Sequence, residues 1–364
     1  MKKLQSLILL LCILFSFTGC EATQLDSNTS VATTTTYASQ QKALSKLKVH
    51  YIDVGQGDSE LLQCNGVNIL IDTGESDQAQ HLIQYLEQQG VTTIDYLFLT
   101  HPHTDHMGGA VKLMEHFPVK QVYLTNRTHT TVSYRKLIET IKNKNIKRVQ
   151  AKAGTSIAFT KQLKGLIVAP NHLYDDINAS SIVLKVTYGK NSFLFTGDAT
   201  IETEQDILND GYDISADVYK VSHHGSSTSN SVRFIDAINP SICVIEVGAN
   251  NSYGHPHKEV QELLSNRKTT VYRTDKNGSI VITSNGKTLS VSSSKGKGTT
   301  SSSASKKPTT TNTSKNIVYI GNKNSKVYHK STCSSLPDKK NQVSFSSKSS
   351  AEQAGYHACS RCNP

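Results

Sequence analysis

An α+β fold, with two sheets covered by outer helices and a small separate module at the C-terminus, is what this 364-residue sequence predicts. Three observations lead to it. Between residues 47 and 290 short β-rich runs alternate with amphipathic segments, and strand runs stand both before and between the helices. Residues 291–316, VSSSKGKGTTSSSASKKPTTTNTSKN, have no periodic apolar positions and read as a linker. Residues 317–364 hold too few apolar side chains for a core of their own, yet three of the seven cysteines, Cys333, Cys359 and Cys362, cluster there.

The first 20 residues, MKKLQSLILLLCILFSFTGC, set Lys2 and Lys3 ahead of an apolar stretch too short and too early for a stop-transfer helix. They read as an export signal. Its end, Phe17-Thr18-Gly19-Cys20, resembles the bacterial lipobox, with Phe17 where Leu is usual. The expected product is lipidated on Cys20 and anchored on the outer face of the bacterial cytoplasmic membrane, with plain secretion as the other outcome. Residues 21–46, rich in Ser, Thr, Gln and Ala, read as a flexible tether.

In the central domain LKVHYIDVG, SELLQC and VNILIDTG read as successive strands, with turns at Gly55, Gly57 and Asn65-Gly66. QAQHLIQYLEQQG reads as a helix with Leu82, Ile83 and Leu86 on one face and Gly90 as its stop. IDYLFLT is a buried strand that delivers His101 to its carboxyl end. Further strands are expected at QVYLT, GLIVA, SIVLKVTY, SFLFTG, DVYKVS and SICVIEV, and helices near 131–144, 200–210, 230–237 and 257–265. No internal repeat stands out.

The net charge of +10 is unevenly placed: residues 291–364 carry 12 basic and 2 acidic groups, while the central domain is near neutral. Within that domain residues 112–164 hold 12 Lys and Arg against only Glu115 and Glu139. A polyanionic partner or an anionic cell surface suits both regions; a solvated surface is the plain alternative. Cys64 and Cys243 lie in apolar runs and read as buried thiols. Three clustered cysteines cannot pair evenly, so metal binding is the better reading of the tail.

His101-Pro102-His103-Thr104-Asp105-His106 puts three imidazoles and a carboxylate directly after a buried strand. No structural role needs that density. Neutral nitrogens and an anionic oxygen suit zinc, manganese or iron and leave positions open for water. The run resembles the H-x-H-x-D-H signature of the metallo-β-lactamase superfamily, which implies an αββα sandwich. Asp72 in IDTGE and Asp198 in FTGDA fall in that family's order. The resemblance implies that His101 and His103 hold one metal, that Asp105 and His106 hold a second, and that Asp198 bridges them. Asp72 is expected to orient a ligand from behind.

A nearer resemblance is to the hydrolase domain of ComEC-type DNA-uptake channel proteins. It rests on Asp53-Val54-Gly55-Gln56-Gly57-Asp58, the run His101 to Gly109, Asn178 with Ser181, Gly197-Asp198, Ser222-His223-His224-Gly225-Ser226 and Tyr253-Gly254-His255-Pro256. These occur in register over about residues 48–283. Where the wider superfamily has a third histidine at the first site, this chain offers Asn178 and Ser181, with His172 nearby. His223 is the preferred late ligand of the second site and His224 the adjacent option, one of the pair being free for substrate. His255 contacts substrate or metal, or else caps a helix; Asp58 is assigned to the same surroundings. His81, His116 and His129 lack motif context and read as surface or packing residues.

In the tail, His329, Cys333 and the pair Cys359-Ser360-Arg361-Cys362 could form a tetrahedron, and a structural zinc would supply folding energy to a zinc-finger-like module. It resembles the DNA-contacting metal-binding domain of the Ada repair protein, with His329 near the place of one cysteine. A disulfide with one free thiol is the alternative.

Together these readings predict an exported hydrolase with one or two divalent ions, zinc or manganese, and a structural zinc in the tail. DNA is the expected substrate, with Asp105, Asp198 and His224 in catalysis and the hydroxyls of Ser226 and Ser227, or the His224 imidazole, beside the departing group. Two alternatives stand beside it: hydrolysis of a lactone, phosphocholine or cell-wall phosphodiester, and non-catalytic capture of DNA.

Overall fold

The computed structural model describes residues 45–296, 298–300, 319–330, 333–345, 348, 351 and 355–362. The expected export signal with Cys20, nearly all of the tether and residues 301–316 of the linker lie outside the described residues. No helix among the described residues is long and apolar enough to cross a membrane.

The central domain opens on a meander of β1 (Leu47–Tyr51), β2 (Glu60–Cys64) and β3 (Val67–Ile71). Next come α1 (Ala79–Gln88), β4 (Tyr96–Leu99), α2 (Thr104–Met107), α3 (Ala110–His116), β5 (Gln121–Leu124), α4 (Val132–Asn143) and β6 (Lys147–Gln150). The second half runs through β7 (Ser156–Ala158), β8 (Leu163–Ala169), β9 (Val183–Tyr188), β10 (Asn191–Phe195), α5 (Ile201–Asn209) and β11 (Val218–Lys220). A 3₁₀ turn, Ser222–Gly225, leads to α6 (Val232–Ile238), β12 (Ile242–Ile245), α7 (Lys258–Ser265), β13 (Thr270–Arg273) and α8 (Thr274–Asn277). β14 (Ile280–Ser284), β15 (Leu289–Ser293) and β16 (Thr299–Thr300) close the domain.

These strands form two eight-stranded mixed sheets, in the orders β15-β14-β1-β2-β3-β4-β5-β6 and β16-β13-β12-β11-β10-β9-β8-β7. Successive side chains of a strand point to opposite faces, and the buried clusters show what each face meets. In β4, Phe98 joins the core between the sheets, whereas Leu97 and Leu99 join Leu82, Leu86, Leu113 and Ile141 of the outer helices. In β10, Phe193 and Phe195 face the same inner core, while Leu194 packs with Ile207, Phe234 and Leu264. The result is helix, sheet, sheet and helix in four layers, the αββα arrangement expected.

Two features differ from the expectation. The strands β13 to β15 and the short strands β6 and β7 were not anticipated. The boundary at 290 also falls inside β15, which pairs along its whole length with β14, and β16 pairs with β13. Val291 packs against the inner core while the serines alternate outward, so a polar composition concealed a half-buried strand. The tail forms a separate sheet of β17 (Tyr319–Asn322), β18 (Val327–Lys330), β19 (Gln342–Phe345) and β20 (His357–Ala358), in the order β19-β17-β18-β20.

Candidate metal centre

The sequence-predicted residues leave the carboxyl ends of strands that pair in parallel. Asp72 follows β3, His101 to His106 follow β4, Asp198 follows β10, and His223 and His224 follow β11. Side-by-side parallel strands bring their ends to one edge, where loops from both sheets converge. The close approach needs glycine. A Cβ on Gly225, which sits at φ +83°, would come 2.5 Å from Pro256 Cβ.

Four donor atoms on this edge converge: those of Asp105, His106, Asp198 and His224 all lie within 4.8 Å of one another. His106 Nε2 is 3.3 Å from Asp198 Oδ1 and 3.8 Å from Asp105 Oδ2. His224 Nε2 is 3.4 Å from Asp105 Oδ2 and 3.7 Å from Asp198 Oδ1. Each ring is aimed from behind: His106 Nδ1–H donates to Asp72 Oδ2 at 2.7 Å, and His224 Nδ1–H to the Glu246 carbonyl at 2.9 Å. Asp72 is itself fixed by the backbone N–H and the hydroxyl of Thr100, at 2.7 and 2.6 Å. With Nδ1 occupied in this way, both Nε2 atoms face inward. His106 Nε2, His224 Nε2 and Asp198 Oδ1 are buried without a hydrogen-bond partner among the described residues. Buried polar atoms are rarely left so, and a divalent cation among them would satisfy all three.

The other oxygen of Asp198 looks toward a second group. Asp198 Oδ2 is 3.8 Å from His101 Nε2 and 3.5 Å from His223 Nε2, and His101 Nε2 is 3.0 Å from His103 Nδ1. Ser181 Oγ accepts from the Asp198 N–H at 3.1 Å and lies 3.3 Å from His101 Nδ1, so it braces both residues from behind. Asp198 thus faces one half with each oxygen.

Charge differs sharply between the halves. Burial alone would push the His106 pKa down, yet Asp198, Asp105, Asp72 and Asp58 hold it well above the ordinary value. His224 is likewise carried up to about 10 by Asp198 and Asp58 against its burial. Burial lowers His101, His103 and His223, leaving neutral nitrogens on that side. Behind the centre Asp58, Glu60 and Glu246 are fully buried around Lys220, whose ammonium contacts Asp58. Burial raises Glu60 to about 8 and Glu246 well above its usual range, whereas Lys220 and the nearby imidazoles hold Asp58 at about 2 in spite of burial. Lys220 therefore offsets the one carboxylate of this group that stays ionised, Asp58, while Glu60 and Glu246 are held protonated behind it.

The centre opens into a cleft of about 420 Å³ whose lining includes His103, Asp105, Asn178, Asp198, His223, His224 and His255. The expectation that His223 joins Asp105 and His106 is corrected: His224 takes that place, and His223 sits on the His101 side, where a third histidine was missing. Both residues adopt left-handed backbone, each at φ +52°, which splays their rings toward different oxygens of Asp198. His224 is therefore not the free member of the pair. Ser226 is not brought to the cleft; its hydroxyl is 3.0 Å from Thr228 Oγ1 in its own loop. His172 is also excluded, since it pairs with Asp206 at 3.0 Å on the surface. His129, read as a surface or packing residue, lines the cleft with Thr131. His81 is exposed, and His116 meets Glu87 at 2.8 Å. Sequence reasoning also missed Gln56, Glu75 and Tyr253 as cleft residues. Gln56 and Tyr253 lie inside quoted motifs, and that is the signal that could have found them.

In the tail the donor atoms of His329, Cys333, Cys359 and Cys362 also lie within 4.8 Å of one another. All three thiols are free, and His329 Nδ1 is buried without a partner among the described residues. A hydrogen bond with Ser335, assisted by His329 and Cys362, lowers the Cys333 thiol to about 6, toward the thiolate a metal takes. The cluster fits zinc without a disulfide.

Comparison with known proteins finds a family for each of the two regions. Residues 52–245 match the Metallo-beta-lactamase superfamily, and residues 307–364 match the Metal binding domain of Ada. The ComE operon protein 3 of Bacillus subtilis is 33% identical over 255 residues, which are 65% of this chain and 33% of that protein. Recombination protein 2 of Haemophilus influenzae is 32% identical over 247 residues, covering 66% of this chain and 29% of that protein. The chain therefore spans about a third of the length of these curated relatives. Among solved structures, the metallo-beta-lactamase fold protein YhfI of Bacillus subtilis aligns with a TM-score of 0.42 and 12% identity, over 62% of this chain and 96% of that one.

Proposed function

The chain belongs to the metallo-β-lactamase superfamily, and from that premise we propose that it is a metal-dependent phosphodiesterase that cuts DNA, held at the outer surface of a bacterial cell through a lipid on Cys20. The observation that carries the reading is the set of buried, unpartnered atoms His106 Nε2, His224 Nε2 and Asp198 Oδ1, of which His224 and Asp198 line an open cleft. Zinc or manganese held there, and a second ion near His101, His103 and His223, would supply Lewis acidity to a water and to the phosphate oxygens.

The chain's own residues do the rest. Asp72 and the Glu246 carbonyl keep His106 and His224 in the tautomer that faces inward. Asp198 joins the two halves, one oxygen to each. Gln56 Nε2 is a buried donor in the cleft lining with no partner among the described residues, and it is suited to a nonbridging phosphate oxygen. DNA is favoured because one of the relatives carries the name of a recombination protein. The basic stretch 112–164 supports the same substrate, since it contains His129 and Thr131 of the cleft wall and can attract a phosphate backbone. The Ada-type tail, with its 12 basic groups against 2 acidic over residues 291–364, would add a second contact to DNA.

The test incubates the full chain with single- and double-stranded DNA and manganese or zinc, beside a lactone and a choline phosphodiester. Cleavage of DNA that disappears in Asp198→Ala is expected. Hydrolysis of the lactone or the choline ester alone, or a cleavage rate equal in wild type and variant, would overturn the reading.

A further inference from the structure

Tyr253 is a large apolar side chain that the fold leaves 64% exposed, at the mouth of the metal-centre cleft. A singly exposed side chain is ordinary by itself; what sets this ring apart is its rigid support beside the metal centre. Its loop is braced from within: Asn251 Nδ2 donates to the Gly248 and His255 carbonyls at 3.0 and 2.7 Å, and Asn251 Oδ1 accepts from the His255 N–H at 3.0 Å. It is also tied from without. The Ser227 N–H donates to His257 Nδ1 at 2.9 Å, so the imidazole proton is on Nε2, which donates to the Tyr253 carbonyl at 3.2 Å. His257 thereby clamps the Tyr253 loop to the loop that carries His223 and His224.

The rings themselves form a ladder. Tyr253 lies 21° from parallel to His255 with centroids 5.6 Å apart, and His255 lies 28° from parallel to His224 at 6.1 Å. The ladder runs from solvent to His224 of the centre, and His255 Nδ1 is buried without a hydrogen-bond partner among the described residues. A flat, preorganised aromatic face beside a phosphate-cleaving centre suits the π-face of a nucleobase, and only an unpaired or splayed base can lie on it.

We propose that Tyr253 is a base-stacking platform that selects single-stranded DNA, or the frayed end of a duplex, by seating one nucleobase next to the phosphodiester to be cut. This rests on the reading of the site as a DNA phosphodiesterase. Base stacking on one aromatic side chain changes affinity by about tenfold, while phosphate attraction is indifferent to whether a base is present.

The chain contains no tryptophan, so Tyr253→Trp in the full protein installs a single fluorescent reporter at the platform. It is titrated with oligothymidylate and with an abasic oligomer of the same number of phosphates, while wild type, Tyr253→Ala and Tyr253→Phe are assayed for cleavage of single-stranded DNA. The expected results are quenching by oligothymidylate and little by the abasic oligomer, KM about tenfold higher in Tyr253→Ala, and recovery in Tyr253→Phe. Equal quenching by both oligomers, or KM unchanged in Tyr253→Ala, overturns the platform. Cleavage without quenching removes the platform and leaves the phosphodiesterase reading standing. Base-dependent quenching without cleavage by wild type keeps the platform and removes the phosphodiesterase.

Discussion

The two donor clusters of this protein are assembled by opposite means. In the central domain the donors hang from strand ends locked by three buried cores, and each imidazole is aimed by a group behind it, Asp72 for His106 and the Glu246 carbonyl for His224. In the tail the core among the described residues consists of Tyr328, Ala351 and Tyr356, flanked by Tyr319, Val343 and Phe345, and four donors crowd beside it. A site of the first kind keeps its shape before any ion arrives. One of the second kind is expected to need the ion in order to fold, because a small apolar cluster does not offset the entropy of ordering the chain.

Chelation gives the largest contrast between them. A structural zinc in a module of this size contributes roughly 10–16 kcal/mol. A strong chelator is expected to make residues 317–364 protease-sensitive while the central domain, residues 47–300, stays protected and inactive. A digest in which both regions open together would erase the distinction.

Single substitutions draw a smaller line inside the central domain. Losing a donor of the His106 and His224 group removes several kcal/mol of charge stabilisation, so His106→Ala should lower kcat/KM on the order of a thousandfold. The melting curve of the central domain should move little by comparison. His103→Ala, on the more exposed side of the centre, is expected to cost less than His106→Ala; the reverse order would reassign the principal ion to the His101 half.

The smallest effect separates the stability of the central domain from metal altogether. His50 is buried on β1, its Nδ1 3.0 Å from the Tyr85 hydroxyl, and burial with Lys48 nearby pushes it down to about 4. The unfolded chain takes up this proton near pH 6.5, so the contribution is whole above that value and is lost as pH falls toward 4. About 3 kcal/mol is at stake. Denaturant midpoints of the full chain should fall less steeply over this interval in His50→Phe than in wild type; parallel curves would place the acid sensitivity elsewhere.

Legibility in the sequence follows how local each feature is. His101 to His106 could be read directly because one strand end carries them within six residues. Helices such as α4 and α7 were legible from apolar spacing that a single buried face enforces. β13 was not, since all four of its residues are only partly buried, and β15 was hidden by its serines. The choice between His223 and His224 turns on two consecutive left-handed residues, which spacing does not reveal. Gln56, Glu75, His129 and Tyr253 come from four separate loops and meet only after both sheets have formed.

The most direct measurement is anomalous diffraction at the zinc or manganese edge from crystals of the metal-loaded full chain. The account predicts a strong peak among His106 Nε2, His224 Nε2, Asp105 and Asp198, and a separate zinc peak in the tail among His329, Cys333, Cys359 and Cys362. A central domain with no peak at those four residues, in crystals whose tail is filled, would contradict it.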